Sequence, residues 1–264
     1  MSNRADFKQM LSALQRQTQG IIRIEDVPKI LSVPKHKARS LLHRWTRQGW
    51  VVRLKRGIYV PLPFEAESSE RWTEDPWVIA SALFSPCYIG GWSACEHWGL
   101  TEQIFREVLV YTVKPPRKGR QDILSTPFRL KLTTSKRLFG TVPMWRGQLQ
   151  TQVSDASRTL LDVFNDPSVA GGFPQSVRVL GAYLKSEHKD LKKLLQHLIT
   201  FDSGALFKRF GYLFEIYFPQ ETAFIQECSR RIGKGYSKLD PSGPLRGPHV
   251  RRWNLQVNEK AAAE

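Results

Sequence analysis

The side chains best suited to chemistry in this sequence form a crowd of cations. Lys35, Lys37, Arg39, Arg44, Arg47, Arg53, Lys55 and Arg56 lie within 22 residues, with His36, Ser40 and His43 among them and no carboxylate from Lys35 to Arg56. Such a stretch suits a polyanion: the cations reach phosphates, and Arg, His and Ser side chains can hydrogen-bond base edges. Other constellations fail on spacing. Asp155, Arg158 and Asp162 share one helical face and could be the carboxylates of a metal-dependent nuclease, but no Glu-x-Lys or His partner follows. An ion-pair network, with Ser154 as the helix N-cap and Asp155 in the first turn, is the simpler reading. Cys87, Cys95 and His97 lack zinc-ligand spacing, and Gly233-Lys234-Gly235 lacks the rest of a phosphate loop and reads as a turn. No catalytic residue, metal ligand or cofactor is assigned, and no enzyme is expected.

The basic crowd needs a helix and a hairpin to hold it. Phe7, Met10, Leu11 and Leu14 recur at helical spacing, Gly20 closes that helix, and Ile21, Ile22 and Ile24 suggest a short extended piece. Glu25 to Leu31 reads as a second helix. Ser32-Val33-Pro34 is a tight turn, with Pro34 suited to the first position of a third helix running to about Gln48. At 100° per residue Ala38, Leu41, Leu42 and Trp45 fall on one face of that helix, which must pack on the first two. The opposite face carries His36, Ser40, His43 and Arg47, flanked by Lys37, Arg39 and Arg44. Gly49 stops the helix, and Trp50 to Val60 reads as two strands around a basic turn with Arg53, Lys55 and Arg56 at its tip and Gly57 permitting a positive φ. This is the pattern of a winged helix-turn-helix over residues 1–64. Lys35 to His43 would enter the major groove, Arg39 and His43 being the best base readers, and the wing would touch phosphates or the minor groove.

Charge distribution agrees. The 264-residue chain carries 40 Lys and Arg against 24 Asp and Glu, a net +16, yet residues 1–62 alone hold 13 cations and three acids, a net +10. Double-stranded DNA is the expected partner. Three cysteines without a framework spacing suit a reducing compartment, and charged residues at 4, 6, 8 and 16 interrupt any signal-peptide core. A cytoplasmic location is expected. Trp77 to Cys95 is free of charge over 19 residues, but Pro86, Gly90 and Gly91 argue for a buried helix and turn rather than a membrane span.

Pro61 to Asp75 is a polar, acidic and Pro-containing connection, of which residues 65–75 are assigned as the linker. Beyond it a second domain, 76–264, is expected to be mixed α/β and mainly helical, giving an α+β protein overall. Residues 76–100 look helical with a break at Ser85-Pro86, residues 107–150 alternate like a small sheet, and helical spacing returns over 154–165, 175–186, 190–200 and 205–217. Arg252 to Val257 alternates like a strand before an Ala-rich tail. Glu215, alone in an apolar run, needs a cationic partner if buried, and Arg209 is a candidate.

Four stretches carry a family resemblance: Gly49-Trp-Val-Val-Arg-Leu-Lys-Arg-Gly-Ile-Tyr-Val; Tyr88-Ile-Gly-Gly-Trp-Ser-Ala-Cys-Glu-His-Trp-Gly-Leu-Thr-Glu-Gln; Ser154-Asp-Ala-Ser-Arg-Thr-Leu-Leu-Asp followed by Gly171-Gly172; and Lys208-Arg-Phe-Gly-Tyr-Leu-Phe-Glu with Gly235-Tyr, Leu239-Asp-Pro and Arg252-Trp-Asn. On these the sequence resembles the AbiEi family of antitoxin-type transcriptional regulators, which sit beside nucleotidyltransferase toxins in bacterial phage-defence operons. Cys95 and Trp98 depart slightly from its pattern. The resemblance implies an autorepressor whose N-terminal domain binds inverted repeats in its own promoter. Its C-terminal part would counter the toxin, either by binding it or without a stable complex. A monomer in solution that pairs on DNA is compatible with this. Two other readings stay open, a metal-dependent nuclease and a regulator that senses a small ligand.

Overall fold

The computed structural model describes residues 2–18, 20–62, 75–146 and 149–259, the first five of them by backbone alone. The expected linker therefore lies, apart from Asp75, outside the described residues, as does the Ala-rich tail from residue 260.

Three helices open the chain, α1 (Ser2–Thr18), α2 (Val27–Leu31) and α3 (Lys35–Arg47), with three short strands, β1 (Ile22–Arg23), β2 (Val51–Lys55) and β3 (Ile58–Pro61). The strands form an antiparallel sheet in the order β1-β3-β2. Phe7, Leu11 and Leu14 of α1 bury against Ala38, Leu42 and Trp45 of α3, with Val27, Ile22, Val51 and Tyr59 completing the cluster and Leu41 half-buried at its edge. The apolar stripe of α3 thus packs inward as its spacing predicts. Pro34 caps α3 from outside, in extended conformation, rather than occupying its first position. Pro34 donates no hydrogen bond, so it suits either place. In the β2–β3 hairpin, Gly57 has φ +82°, and a side chain there would be both strained and within 3.2 Å of Ile24.

The larger part is built on a six-stranded mixed sheet, formed by β4 (Cys87–Ile89), β5 (Val108–Thr112), β6 (Arg120–Ile123), β7 (Thr126–Leu132), β8 (Thr141–Arg146) and β9 (Leu149–Ser154), in the order β6-β7-β5-β4-β9-β8. Helices α4 (Pro76–Phe84) and α5 (Gly91–His97) flank β4. A helical layer follows: α6 (Ala156–Asn165), α7 (Phe173–Lys185), α8 (Leu191–Phe201), α9 (Gly204–Tyr217) and α10 (Thr222–Arg230). A second three-stranded sheet ends the chain, β10 (Ser237–Lys238), β11 (His249–Val250) and β12 (Leu255–Gln256), with β12 in the middle.

Several elements differ from expectation. Cys87–Ile89, expected within a helical segment, is an inner strand of the sheet, pairing antiparallel with β5 and parallel with β9. A three-residue apolar run between Pro86 and Gly90 is too short for periodicity to distinguish strand from helix. The sheet accordingly exceeds the small one expected over 107–150. Ser154 ends β9, and Asp155 is the N-cap of α6, accepting the Arg158 N–H at 2.8 Å. Helix α10 was not expected. Of the strand expected over 252–257, only Leu255–Gln256 forms, because Arg251–Trp253 winds into a 3-10 turn.

The motif residues of the larger part lock its elements together. Arg158 and Asp162 pair at 2.6 Å with side chains 1% and 3% exposed. The Tyr88 hydroxyl donates to Asp162 at 3.1 Å and accepts from Arg158 at 2.9 Å. Burial pushes the Asp162 carboxyl up to about 6, against the pull of Arg158 and Tyr88. Trp98 of the central motif donates to the Ser154 carbonyl at 2.7 Å. Glu215 takes its partners from Trp253 and Arg252 and not from Arg209. Arg209 instead donates to the Phe164 and Lys238 carbonyls, both at 3.0 Å.

Asp155 does not join the Arg158–Asp162 pair. Its second oxygen accepts from His197 at 2.9 Å and lies 3.0 Å from Lys193. Burial alone would raise this carboxyl, but the hydrogen bonds from His197 and the Arg158 N–H, with Lys193, hold it below its ordinary value. A depressed folded-state pKa adds stability that is complete above about pH 4, the unfolded value, and is lost as pH falls through the folded one. Asp155→Ala should therefore cost about 1–2 kcal/mol at neutral pH through the lost cap and hydrogen bonds. It should also flatten the acid limb of the stability curve, measured by urea titration from neutral to acid pH. An unchanged acid limb would assign the limb to other carboxylates.

Candidate nucleic-acid interface

Helix α3 and the β2–β3 hairpin place all eleven residues singled out in the sequence on the surface: Lys35, His36, Lys37, Arg39, Ser40, His43, Arg44, Arg47, Arg53, Lys55 and Arg56 are exposed. The cause is the register of α3, since burying Ala38, Leu42 and Trp45 turns the intervening polar positions outward. Where helix and hairpin meet they enclose an open groove of about 790 Å³, lined by Arg39, Ser40 and His43 from α3, Arg53, Arg56, Gly57 and Tyr59 from the hairpin, and Ile24 from the loop after β1. Five of the eleven residues converge there. Lys35, His36, Lys37, Arg44, Arg47 and Lys55 lie outside its lining.

Ser40 is partly committed, its hydroxyl donating to the His36 carbonyl at 3.3 Å. None of the eight Lys and Arg side chains makes an ion pair with a described residue. In the larger part several cations are held instead: Glu107 holds Arg120 and Arg129, Asp166 holds Lys131, and Asp162 holds Arg158. A surface of like charges repels itself and favours binding of an anion. Tyr59 and Ile24 were missed as groove walls. Tyr59 lies directly across the ladder from Arg53 and from Ile22, a placement that only the hairpin register reveals.

The fold and this surface define the class, a mixed α/β protein that carries a basic three-helix unit with a β-hairpin at its N-terminus. Residues 9–61, which cover that unit from the middle of α1 onward, match the family described as transcriptional regulator, AbiEi antitoxin. Over that segment the match agrees with the resemblance read from the motifs and supports the general role of an antitoxin-type regulator. The motifs beyond residue 61 lie outside it. In fold, the chain is similar to the crystal structure of the RV2827C protein from Mycobacterium tuberculosis, with a TM-score of 0.58 at 15% identity, covering 94% of this chain and 89% of that one. No curated protein matches the sequence. Among the described residues no helix is long and apolar enough to cross a membrane.

Proposed function

We propose that the chain is a DNA-binding autorepressor and antitoxin of an AbiE-type toxin–antitoxin operon. In this reading residues 1–64 are a winged helix-turn-helix, α3 is its recognition helix and the β2–β3 hairpin its wing. The observation that carries it is the groove in which Arg39, Ser40 and His43 of one element face Arg53 and Arg56 of the other. A recognition helix in the major groove and a wing over the flanking phosphates need those two sets of side chains on one side of the molecule. Residues 76–264 would counter a nucleotidyltransferase toxin, and pairing of two chains on inverted repeats would supply the repression.

The nuclease alternative finds little support in the geometry. Asp162 is buried and held by Arg158 and Tyr88, and Asp155 is an N-cap held by His197 and Lys193. Both carboxylates are thus committed to partners within the fold, and in separate networks.

Gel shifts on the DNA upstream of the operon test the proposal. Arg39→Ala and His43→Ala should each cost about 1–3 kcal/mol on the preferred sequence and relax sequence preference. Lys55→Ala with Arg56→Ala should weaken all duplexes alike and reduce the salt slope of binding by about two units. If neither pair changes binding, the assignment of α3 and the hairpin is wrong.

A further inference from the structure

A second concentration of positive charge lies at the other end of the chain. Residues 63–227 are nearly neutral, with 19 Lys and Arg against 18 Asp and Glu, whereas residues 228–252 hold seven cations and a single acid, Asp240. Arg230 and Arg231 are held by Glu227 and Arg252 by Glu215, which leaves Lys234, Lys238, Arg246 and Arg251 without an ion pair to a described residue around the terminal sheet. Lys238 and His249 both lie across from Gln256 on the central strand β12, so the three side chains point to one face. The alternate row, Ser237, Leu255 and Val250, points to the other, where Leu255 is fully buried and Val250 packs on the core. Tyr236 is two residues before Lys238 and shares its outward side. Its ring is 51% exposed and meets the His249 ring edge-on at 4.7 Å.

The segments that flank the strands of this face in sequence carry Lys234, Arg246 and Arg251, all exposed and none ion-paired with a described residue. Beneath it Lys208 is buried and donates to the Gly235 carbonyl and, at 3.4 Å, to the Ser237 hydroxyl. Arg209, also buried, donates to carbonyls alone. The loop that presents Tyr236 is therefore pinned from below by a cation that has no carboxylate partner among the described residues.

From this arrangement we infer that the terminal sheet is a second nucleic-acid surface, one that holds an unpaired strand. Lys234, Arg246 and Arg251 would contact its phosphates, and Tyr236, steadied by His249, would stack on a base. An exposed ring on a flat sheet can stack only on a base that is not already stacked within a duplex. The face has strands of two residues and offers no helix or ribbon to enter a major groove. This surface is distinct from the α3 groove and is inferred from separate residues, so either assignment can fail alone.

Fluorescence anisotropy of the full chain with labelled oligouridylate and oligothymidylate of about a dozen nucleotides, beside a promoter duplex, tests it. Tyr236→Ala should weaken single-strand binding about tenfold, while Tyr236→Phe keeps it. Combined Lys234→Ala, Arg246→Ala and Arg251→Ala should lower its salt slope by about two units. Arg39→Ala with Arg56→Ala should leave single-strand binding intact, and the terminal-sheet variants should leave duplex binding intact. A preference between the two oligonucleotides identifies RNA or DNA as the source of the strand. The inference is overturned if neither oligonucleotide binds, if Tyr236→Ala binds as the unaltered chain does, or if only the α3 and hairpin substitutions abolish single-strand binding.

Discussion

Asp162→Ala should lower the unfolding free energy by about 3–5 kcal/mol at neutral pH, the usual cost of stranding one partner of a buried ion pair. The expectation rests on where Arg158 would be left. Its side chain is 1% exposed, and its guanidinium lies against the rings of Phe139 and Phe201 at 5.0 and 4.9 Å and bonds Asp162 at 2.6 Å. The remaining contacts, the Tyr88 hydroxyl at 2.9 Å and the Arg137 carbonyl at 3.4 Å, cannot balance a full charge, and Nε already has no hydrogen-bond partner among the described residues. Water cannot reach the group without opening the seam between α6 and β4. Thermal unfolding should shift downward by on the order of 10 °C in a chain of this size. The double variant Arg158→Met with Asp162→Leu should be much less damaged than Asp162→Ala alone, because apolar residues of similar volume remove both desolvation costs. Chemical denaturation of the three variants checks this. A double variant as unstable as the single one would show that the polar pair itself, and not the stranded charge, holds the seam.

Gly211→Ala should cost about 3 kcal/mol, the upper end of what overpacking usually costs. In an ordinary helix the same change would stabilise by about 1 kcal/mol, so the sign decides the matter. Gly211 lies within α9, and a methyl group there would stand 2.0 and 2.2 Å from two atoms of the Trp253 ring. That ring cannot retreat easily: it is completely buried and its N–H is held by Glu215. Trp253→Leu should make room, so Gly211→Ala added to Trp253→Leu should cost less than it does in the unaltered chain, a coupling of about 1–3 kcal/mol. Urea unfolding of the four species measures it. A Gly211→Ala protein as stable as its parent would mean that the α9 contact with the terminal segment is looser than described.

These two sites show why the motifs of the larger part could be recognised before they could be interpreted. The sequence pointed to Tyr88, Glu96, His97, Arg158, Asp162, Gly211 and Trp253 as parts of separate stretches. In the structure Tyr88 closes on Asp162 across 74 positions, Gly211 accommodates Trp253, and His97 packs against Trp77 and Trp98, while Glu96 remains exposed. Most of these residues hold the fold. Charge and spacing within a stretch cannot distinguish a side chain reserved for a partner from one reserved for a distant part of the same chain. The error over Glu215 has the same origin: Arg209 was the nearest cation in sequence, but the partners came from residues 252 and 253.

Over residues 1–62 local physics was sufficient. A 3.6-residue period selects the buried face of α3, and the cations occupy what remains, so their exposure follows from Ala38, Leu42 and Trp45 without knowledge of the rest of the molecule. A two-strand hairpin around Gly57 follows equally from local turn chemistry. Tertiary structure alone decided that helix and hairpin share one groove, that Tyr59 walls it, that Cys87–Ile89 is an inner strand, and that the late cations gather beside Tyr236 on one face of a sheet. Each of these depends on contacts between residues far apart in the chain, whose pairing is set by the packing of the whole core.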